Sequence, residues 1–201
     1  MDRWQSNPGA GTIPHNTHFL NDYIVTSYYA DGLSIIDVSN PTNLVEVGNY
    51  DTSPNYTGND DGGFHGAWGT YPWLPSGNIL VSDIEEGLFI LGPNYKRACR
   101  LEGNVSDSIC GDNLNDVVVE IVSTSYSEST NVSGNYAFGT PTSGTYTIQF
   151  SKAGYQTKTI TGVVLANGII TNIDVELYSG NTFNLNGVVS SSGTGIANAE
   201  V

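Results

Sequence analysis

Tyr23-Ile-Val-Thr-Ser-Tyr-Tyr-Ala-Asp-Gly-Leu33 is echoed by Asn78-Ile-Leu-Val-Ser-Asp-Ile-Glu-Glu-Gly-Leu88. Gly32 and Gly87 stand 55 residues apart, as do Ile35 and Ile90. In each copy an apolar strand ends in Ser, an acidic turn with Gly follows, and a second apolar strand begins. The repeated unit is therefore a pair of adjacent strands, and repeats of this length suggest propeller blades. A blade buries its faces only against its neighbours, and propellers need about 4 to 8 of them. Two are visible here, so the chain reads as a piece of a longer protein.

Working outward, strands are expected at 17–20, 23–28, 33–38 and 44–50, joined at Asn21-Asp22, Asp31-Gly32 and Asn40-Pro41. That is one four-stranded blade. A polar loop, 51–63, leads to three strands of the next at 65–70, 78–83 and 88–91. Lys96, Arg97 and Arg100 hold half of the 6 basic residues and follow Gly92-Pro93, which places a domain boundary between Gly92 and Cys99. Beyond it, strands at 100–105, 117–123, 135–138, 144–151, 157–165 and 169–177 read as a β-sandwich. Tyr146, Ile148 and Phe150, like Ile173, Val175 and Leu177, alternate in the manner of half-buried strands. Phe183 to Val189 and Gly195 to Val201 restate the opening of this module. The expected fold is all-β: two propeller blades in 1–95, a sandwich in 96–179, and the start of a second sandwich in 180–201. Open sheet faces and strand edges in the first region lead us to expect that 99–178 unfolds as the cooperative unit.

Composition agrees with an all-β class. The 201 residues include 24 Gly, 12 Tyr and one Met, and no helical period is found. The formal charge of −14, from 20 acids against 6 bases, opposes binding to nucleic acid, whose affinity rests on neutralising phosphates with Lys and Arg. No apolar run approaches the roughly 20 residues of a membrane helix. Low Lys with high Asn, Thr and Gly suits a secreted bacterial surface protein. Cys99 and Cys110 flank 101–105 and the turn-rich stretch 107–111. A disulfide clipping a hairpin is expected, with two reduced thiols as the alternative.

Several groups are candidates for binding. Tyr28, Tyr29, Trp68, Tyr71 and Trp73 offer stacking faces to a sugar or peptide, with Pro72 and Pro75 stiffening the loop that presents the last three; inter-blade packing is the competing use. Asp51, Asn59, Asp60 and Asp61 supply hard oxygen donors suited to calcium, though not with EF-hand spacing. His15, His18 and His65 would make a zinc site if they converged. However, an extended segment points residues 15 and 18 to opposite faces. Asn55, Asn104 and Asn131 open glycosylation triplets. No GxSxG elbow or HExxH helix occurs, and no catalytic residues or cofactor are assigned.

Pro14-His-Asn16, Tyr28-Tyr-Ala-Asp-Gly-Leu33, Ile36-Asp-Val-Ser-Asn-Pro41, Val47-Gly-Asn-Tyr-Asp-Thr52 and the run from Gly66 to Asp83 resemble the end of the choice-of-anchor B family, whose propellers carry LVIVD repeats. Gly134-Asn-Tyr136, Gly144-Thr-Tyr146, Gly154-Tyr155 and the strand 171–177 are similar to the carboxypeptidase regulatory-like module, a prealbumin-like sandwich of the carbohydrate-binding-like fold class. The resemblance implies a non-catalytic, exported protein of the bacterial surface, in which a propeller meets a protein or glycan and sandwiches act as spacers. The alternative is a carbohydrate-binding accessory region of a larger secreted enzyme. That reading needs Tyr126, Tyr136, Tyr155 and Tyr178 to form an exposed aromatic face.

Overall fold

A computed structural model of the chain describes residues 2–6, 8, 11–56, 64–180, 190–192 and 194–195. Its elements are strands and one short 3-10 turn, 54–56. Strands β1 (Asn16–Leu20), β2 (Tyr23–Ser27), β3 (Leu33–Asp37) and β4 (Val45–Tyr50) form an antiparallel meander in chain order. Strands β5 (Ala67–Tyr71), β6 (Ile79–Asp83) and β7 (Gly87–Leu91) form a three-stranded meander. The repeated phrase is thus the β2–β3 hairpin in one sheet and the β6–β7 hairpin in the other. Its first turn requires glycine: Gly32 has φ +75°, and a Cβ there would lie 2.2 Å from the carbonyl oxygen of Tyr50.

Period-two alternation gives each of these sheets an apolar face. Tyr23, Val25, Leu33, Ile35, Val45 and Val47 pack against Ala67, Ile79 and Val81. On the opposite face of the four-stranded sheet, residues 2–4 lie beside Ile24, Thr26 and Ile36, with Trp4 edge-on to Tyr28 at 5.7 Å. Tyr29 and Ala67 exchange two backbone hydrogen bonds, of 3.1 and 2.9 Å, that stitch the sheets together.

The remainder is a sandwich. Strands β8 (Cys99–Asp107), β9 (Val118–Ile121), β10 (Ser127–Ser129), β11 (Asn135–Thr140), β12 (Gly144–Ser151), β13 (Lys158–Leu165), β14 (Ile170–Asn172) and β15 (Val175–Leu177) make two sheets. One has the order β10-β9-β12-β13; the other has β8 at its centre, antiparallel to β11 and parallel to β14 and β15. Leu101, Val105, Val119, Ile121, Phe138, Ile148, Phe150, Leu165 and Leu177 are among the buried residues between them. A short pair, β16 (Ser190–Ser191) and β17 (Thr194–Gly195), follows; most of the expected second sandwich lies outside the described residues.

Three expectations need correction. The strand expected at 169–177 divides in two, because the chain steps around Gly103. The Ile173 amide donates to Glu102 O, the Asn104 amide donates to an Asp174 carboxylate oxygen, and Tyr136 donates its hydroxyl to Ile173 O at 2.7 Å. A Cβ on Gly103 would stand 2.0 Å from that same carbonyl oxygen. The strand β10 was not foreseen. Finally, Cys99 and Cys110 are free thiols, one buried and one exposed. Cys99 opens the nine-residue strand β8 and Cys110 lies in the turn beyond its far end. Such a strand is roughly 26 Å long, whereas a disulfide needs Cα atoms within about 7 Å.

The two parts meet at Asp37, the last residue of β3, whose side chain is fully buried. Its carboxylate accepts the Ala98 amide at 2.7 Å and both the amide and the hydroxyl of Ser39 at 2.9 and 2.6 Å. Arg100, only 3% exposed, reaches the same carboxylate at 3.2 Å and donates to the carbonyl oxygens of Asp37 and Asn43. Arg97 bridges Asp22 and Asp37 while lying over the Tyr23 ring. Buried Asn43 donates to Glu102 and to Phe138 O. Burial alone would raise the Asp37 carboxyl, but the Ser39 hydroxyl, the two amides and Arg100 outweigh it and lower it to about 2. The basic cluster that marked a boundary in the sequence is therefore the clasp between the parts.

Candidate functional site

The adjoining ends of β1 and β5, with the loop after β5, carry an aromatic ledge. Three of the five rings expected to bind are outward: Trp68 is 48% exposed, Tyr71 47% and Trp73 44%. Tyr28 and Tyr29 are each 3% exposed, so the expectation fails for them; packing claims both. Tyr29 supports the ledge from beneath, edge-on to Trp68 at 6.2 Å and against exposed Phe64 at 5.5 Å. Its φ of +48°, unusual for a tyrosine, accompanies the bridge to Ala67.

Both N-terminal histidines join this group. The His15 ring lies 4.0 Å from Trp68, tilted by 35°, and its Nδ1 meets Trp68 O, which also accepts the Ser27 hydroxyl at 3.0 Å. His18 sits edge-on to Trp73 at 4.7 Å, and Tyr71 meets Trp73 at 5.4 Å with planes at 77°. Pro72, buried between Tyr71 and Trp73, anchors the loop. The result is a group of amphipathic rings in mutual contact, of which Trp68, Tyr71 and Trp73 are about half exposed. Such rings provide large contact area at low conformational cost. The histidines were considered as metal ligands in the sequence; their packing against tryptophans depends on contacts between sheets that no local pattern signals.

His65 belongs elsewhere. Its Nδ1 pairs with Glu85 at 2.7 Å, and the Gly66 amide donates to the other Glu85 oxygen at 2.9 Å. The amide first and His65 second hold the Glu85 carboxyl below its ordinary range. The three imidazoles thus have different partners, and among the described residues no group of three His, Cys, Asp or Glu side chains is arranged to hold a metal. Of the calcium candidates, Asn59, Asp60 and Asp61 lie outside the described residues, while Asp51 accepts the Ser53 amide at 2.8 Å in a local turn. Nearby Ser53 is fully buried and donates its hydroxyl to Asp83, which also accepts the Glu85 and Glu86 amides. This serine is a turn anchor with no open face for a substrate.

The sandwich tyrosines do not form a platform. Tyr136 is buried, Tyr126 and Tyr155 pack partly against the core, and Tyr155 donates its hydroxyl to Asp107 at 2.8 Å. Tyr178 alone of the four is broadly exposed, at 60%. The coplanar row needed by the accessory-region alternative is absent among them. Two of the glycosylation candidates have engaged carboxamides: Asn104 donates to Ser133 O and Asn135, and Asn131 accepts the Ser133 and Asn135 amides.

No helix among the described residues is long and apolar enough to cross a membrane. No curated protein matches the chain. Among solved structures, a type II cohesin–X-dockerin complex from Acetivibrio cellulolyticus is 21% identical, with a TM-score of 0.36 over 41% of this chain and 58% of that one. A minor pilin of Streptococcus agalactiae is 14% identical, with a TM-score of 0.35 over 58% and 66%. The Bacillus anthracis TIE protein is 11% identical, with a TM-score of 0.33 over 86% and 40%. This chain spans less than two thirds of each. Family profiles match two segments: an LVIVD repeat over residues 22–52, which holds β2 to β4 and Asp37, and a carboxypeptidase regulatory-like domain over residues 100–178, which is the sandwich.

Proposed function

We propose that this chain is a non-catalytic binding and spacer region of an exported bacterial surface protein. In this reading β1 to β7 are blades of an LVIVD-type propeller of the choice-of-anchor B kind, and the ledge of Trp68, Tyr71 and Trp73 receives a protein or glycan partner. The sandwich holds that surface away from whatever follows. The observation that carries the proposal is the exposure of three large rings on one loop and strand, braced by His15, His18 and buried Tyr29. The matched LVIVD and carboxypeptidase regulatory-like segments support the domain reading, and the clasp at Asp37 suits a spacer that transmits orientation.

The test is binding of the full chain to arrayed glycans and to surface-protein extracts, with Trp68→Ala/Trp73→Ala as the comparison. Truncating aromatic anchors typically costs about 2 kcal/mol or more at an interface, so binding should fall by at least about tenfold. Because both rings are half exposed, the melting temperature should stay close to that of the parent.

A further inference from the structure

Two of the 3 tryptophans lie on the ledge, and each has an imidazole against it. The His15 ring is 4.0 Å from that of Trp68, and the His18 ring is 4.7 Å from that of Trp73. Histidine is the side chain that ordinarily changes charge between pH 5 and 8, and a cation within about 6 Å of a tryptophan ring is attracted to its π system. The partner of His15 fixes its tautomer. Trp68 O can only accept, so Nδ1 carries the proton of the neutral ring and Nε2 is the atom that gains a second one. Both nitrogens of an imidazolium donate, so the bond to Trp68 O survives and the ring becomes charged in place. The His15 amide, which donates to Ser27 O at 2.9 Å, ties the backbone to β2.

The groups around the two rings leave that charge uncompensated. His15 is packed by Trp68 of β5 and by Tyr29 after β2, while His18 is packed by Trp73 and stands opposite Val25 of β2. The titratable side chains facing them are the phenols of Tyr29 and, beyond Trp73, of Tyr71. On the flanks of the same elements, Asp22 is engaged by Arg97, Asp31 by the Ser6 hydroxyl and His65 by Glu85. Among the described residues neither His15 nor His18 forms an ion pair. The 6 Lys and Arg residues stand at or beside the clasp, on the sandwich and, for Arg3, next to Trp4 on the far face of the first sheet. We propose that His15 and His18 set the charge of the ledge, so that between pH 8 and pH 5 it passes from a neutral aromatic surface to a cationic one that favours an anionic partner. The gate rests on the reading of the ledge as a binding surface; what it adds is the sign of the partner's charge and the pH at which that sign counts.

Quenching of tryptophan fluorescence in the full chain by iodide, caesium and acrylamide, at pH 8 and pH 5.5 and constant ionic strength, reads the charge without needing the partner. The iodide quenching constant should rise about twofold at pH 5.5, that of caesium should fall, and that of neutral acrylamide should stay level. In His15→Gln/His18→Gln, whose residue 15 still has an N–H to donate to Trp68 O, the iodide and caesium constants should change little with pH. Each single variant should keep part of the rise, which serves where the double variant melts below the parent. Trp4 and His65 are retained throughout as the background. An iodide constant indifferent to pH in the parent, or a rise that persists undiminished in the folded variants, would overturn the gate, the latter by placing the charge elsewhere. A parallel rise with acrylamide would also overturn it, since exposure rather than charge would have changed. None of these outcomes depends on whether Trp68→Ala/Trp73→Ala loses its partner, so failure of the gate and failure of the ledge are told apart.

Discussion

Asp37 does at residue scale what the whole arrangement requires. A buried carboxylate is tolerated only when paired and hydrogen-bonded, and this one receives the Ser39 hydroxyl, two amides and Arg100. Because its folded pKa lies near 2, below the ordinary 3.8, its stabilisation is present above about pH 4 and is lost as pH falls toward 2. The loss amounts to roughly 2 kcal/mol, and acid titration followed by tryptophan fluorescence should show a transition in that window that Asp37→Asn removes. Arg100→Ala removes the buried one of the two guanidinium groups beside the carboxylate, together with two donors to backbone carbonyls, and leaves Arg97 at 3.4 Å; a cost of about 2 kcal/mol at neutral pH is expected from denaturant unfolding. The cysteines give a second test. Cys110 should react with a thiol reagent in the native protein, whereas Cys99, fully buried and with its pKa raised by burial, should react only on unfolding. A mass unchanged by alkylation without reductant would mean a disulfide and would contradict the course of β8.

At the scale of elements, much of the fold was legible from alternation and turn chemistry. β1 to β4 fall within a residue or so of the strands expected from the sequence, since Tyr23 and Val25, Leu33 and Ile35, and Val45 and Val47 alternate along β2, β3 and β4, and Gly, Asn or Pro turns separate the strands. What was hidden was non-local. Ser127–Ser129 has three exposed residues and no apolar signal, and it is a strand only because Val118 to Glu120 pair with it. The division of β14 from β15 is set by Gly103, some 70 residues earlier in the chain. Gly103→Ala should therefore destabilise the sandwich by about 3 kcal/mol or more, since backbone must move, while Tyr136→Phe should cost about 1 to 2 kcal/mol by leaving Ile173 O without its donor. Urea unfolding of both variants checks the order. The candidate site was half legible for the same reason. Trp68, Tyr71 and Trp73 can be picked out by residue type, but nothing local says that Tyr28 and Tyr29 turn inward or that His15 and His18 pack on the tryptophans.

At the scale of the molecule, the β1–β7 region and the sandwich share one clasp, so an aromatic ledge at one end is held in fixed orientation to strands at the other. Buried Asp37, Arg100 and Asn43, with half-buried Arg97 and Glu102 beside them, make this junction polar, which favours one geometry over a sliding apolar contact. The charge of −14 includes acids in both parts, and in the proposed reading the exposed rings of Trp68, Tyr71 and Trp73 are the surface that meets the partner. The most direct measurement of the account is therefore the binding isotherm of the full chain, at physiological salt, for any glycan or surface protein that the array screen returns, repeated with Trp68→Ala/Trp73→Ala at equal melting temperature. The account predicts saturable binding by the parent that weakens at least about tenfold in the variant. Unchanged binding by the folded variant would place the partner surface elsewhere and contradict it.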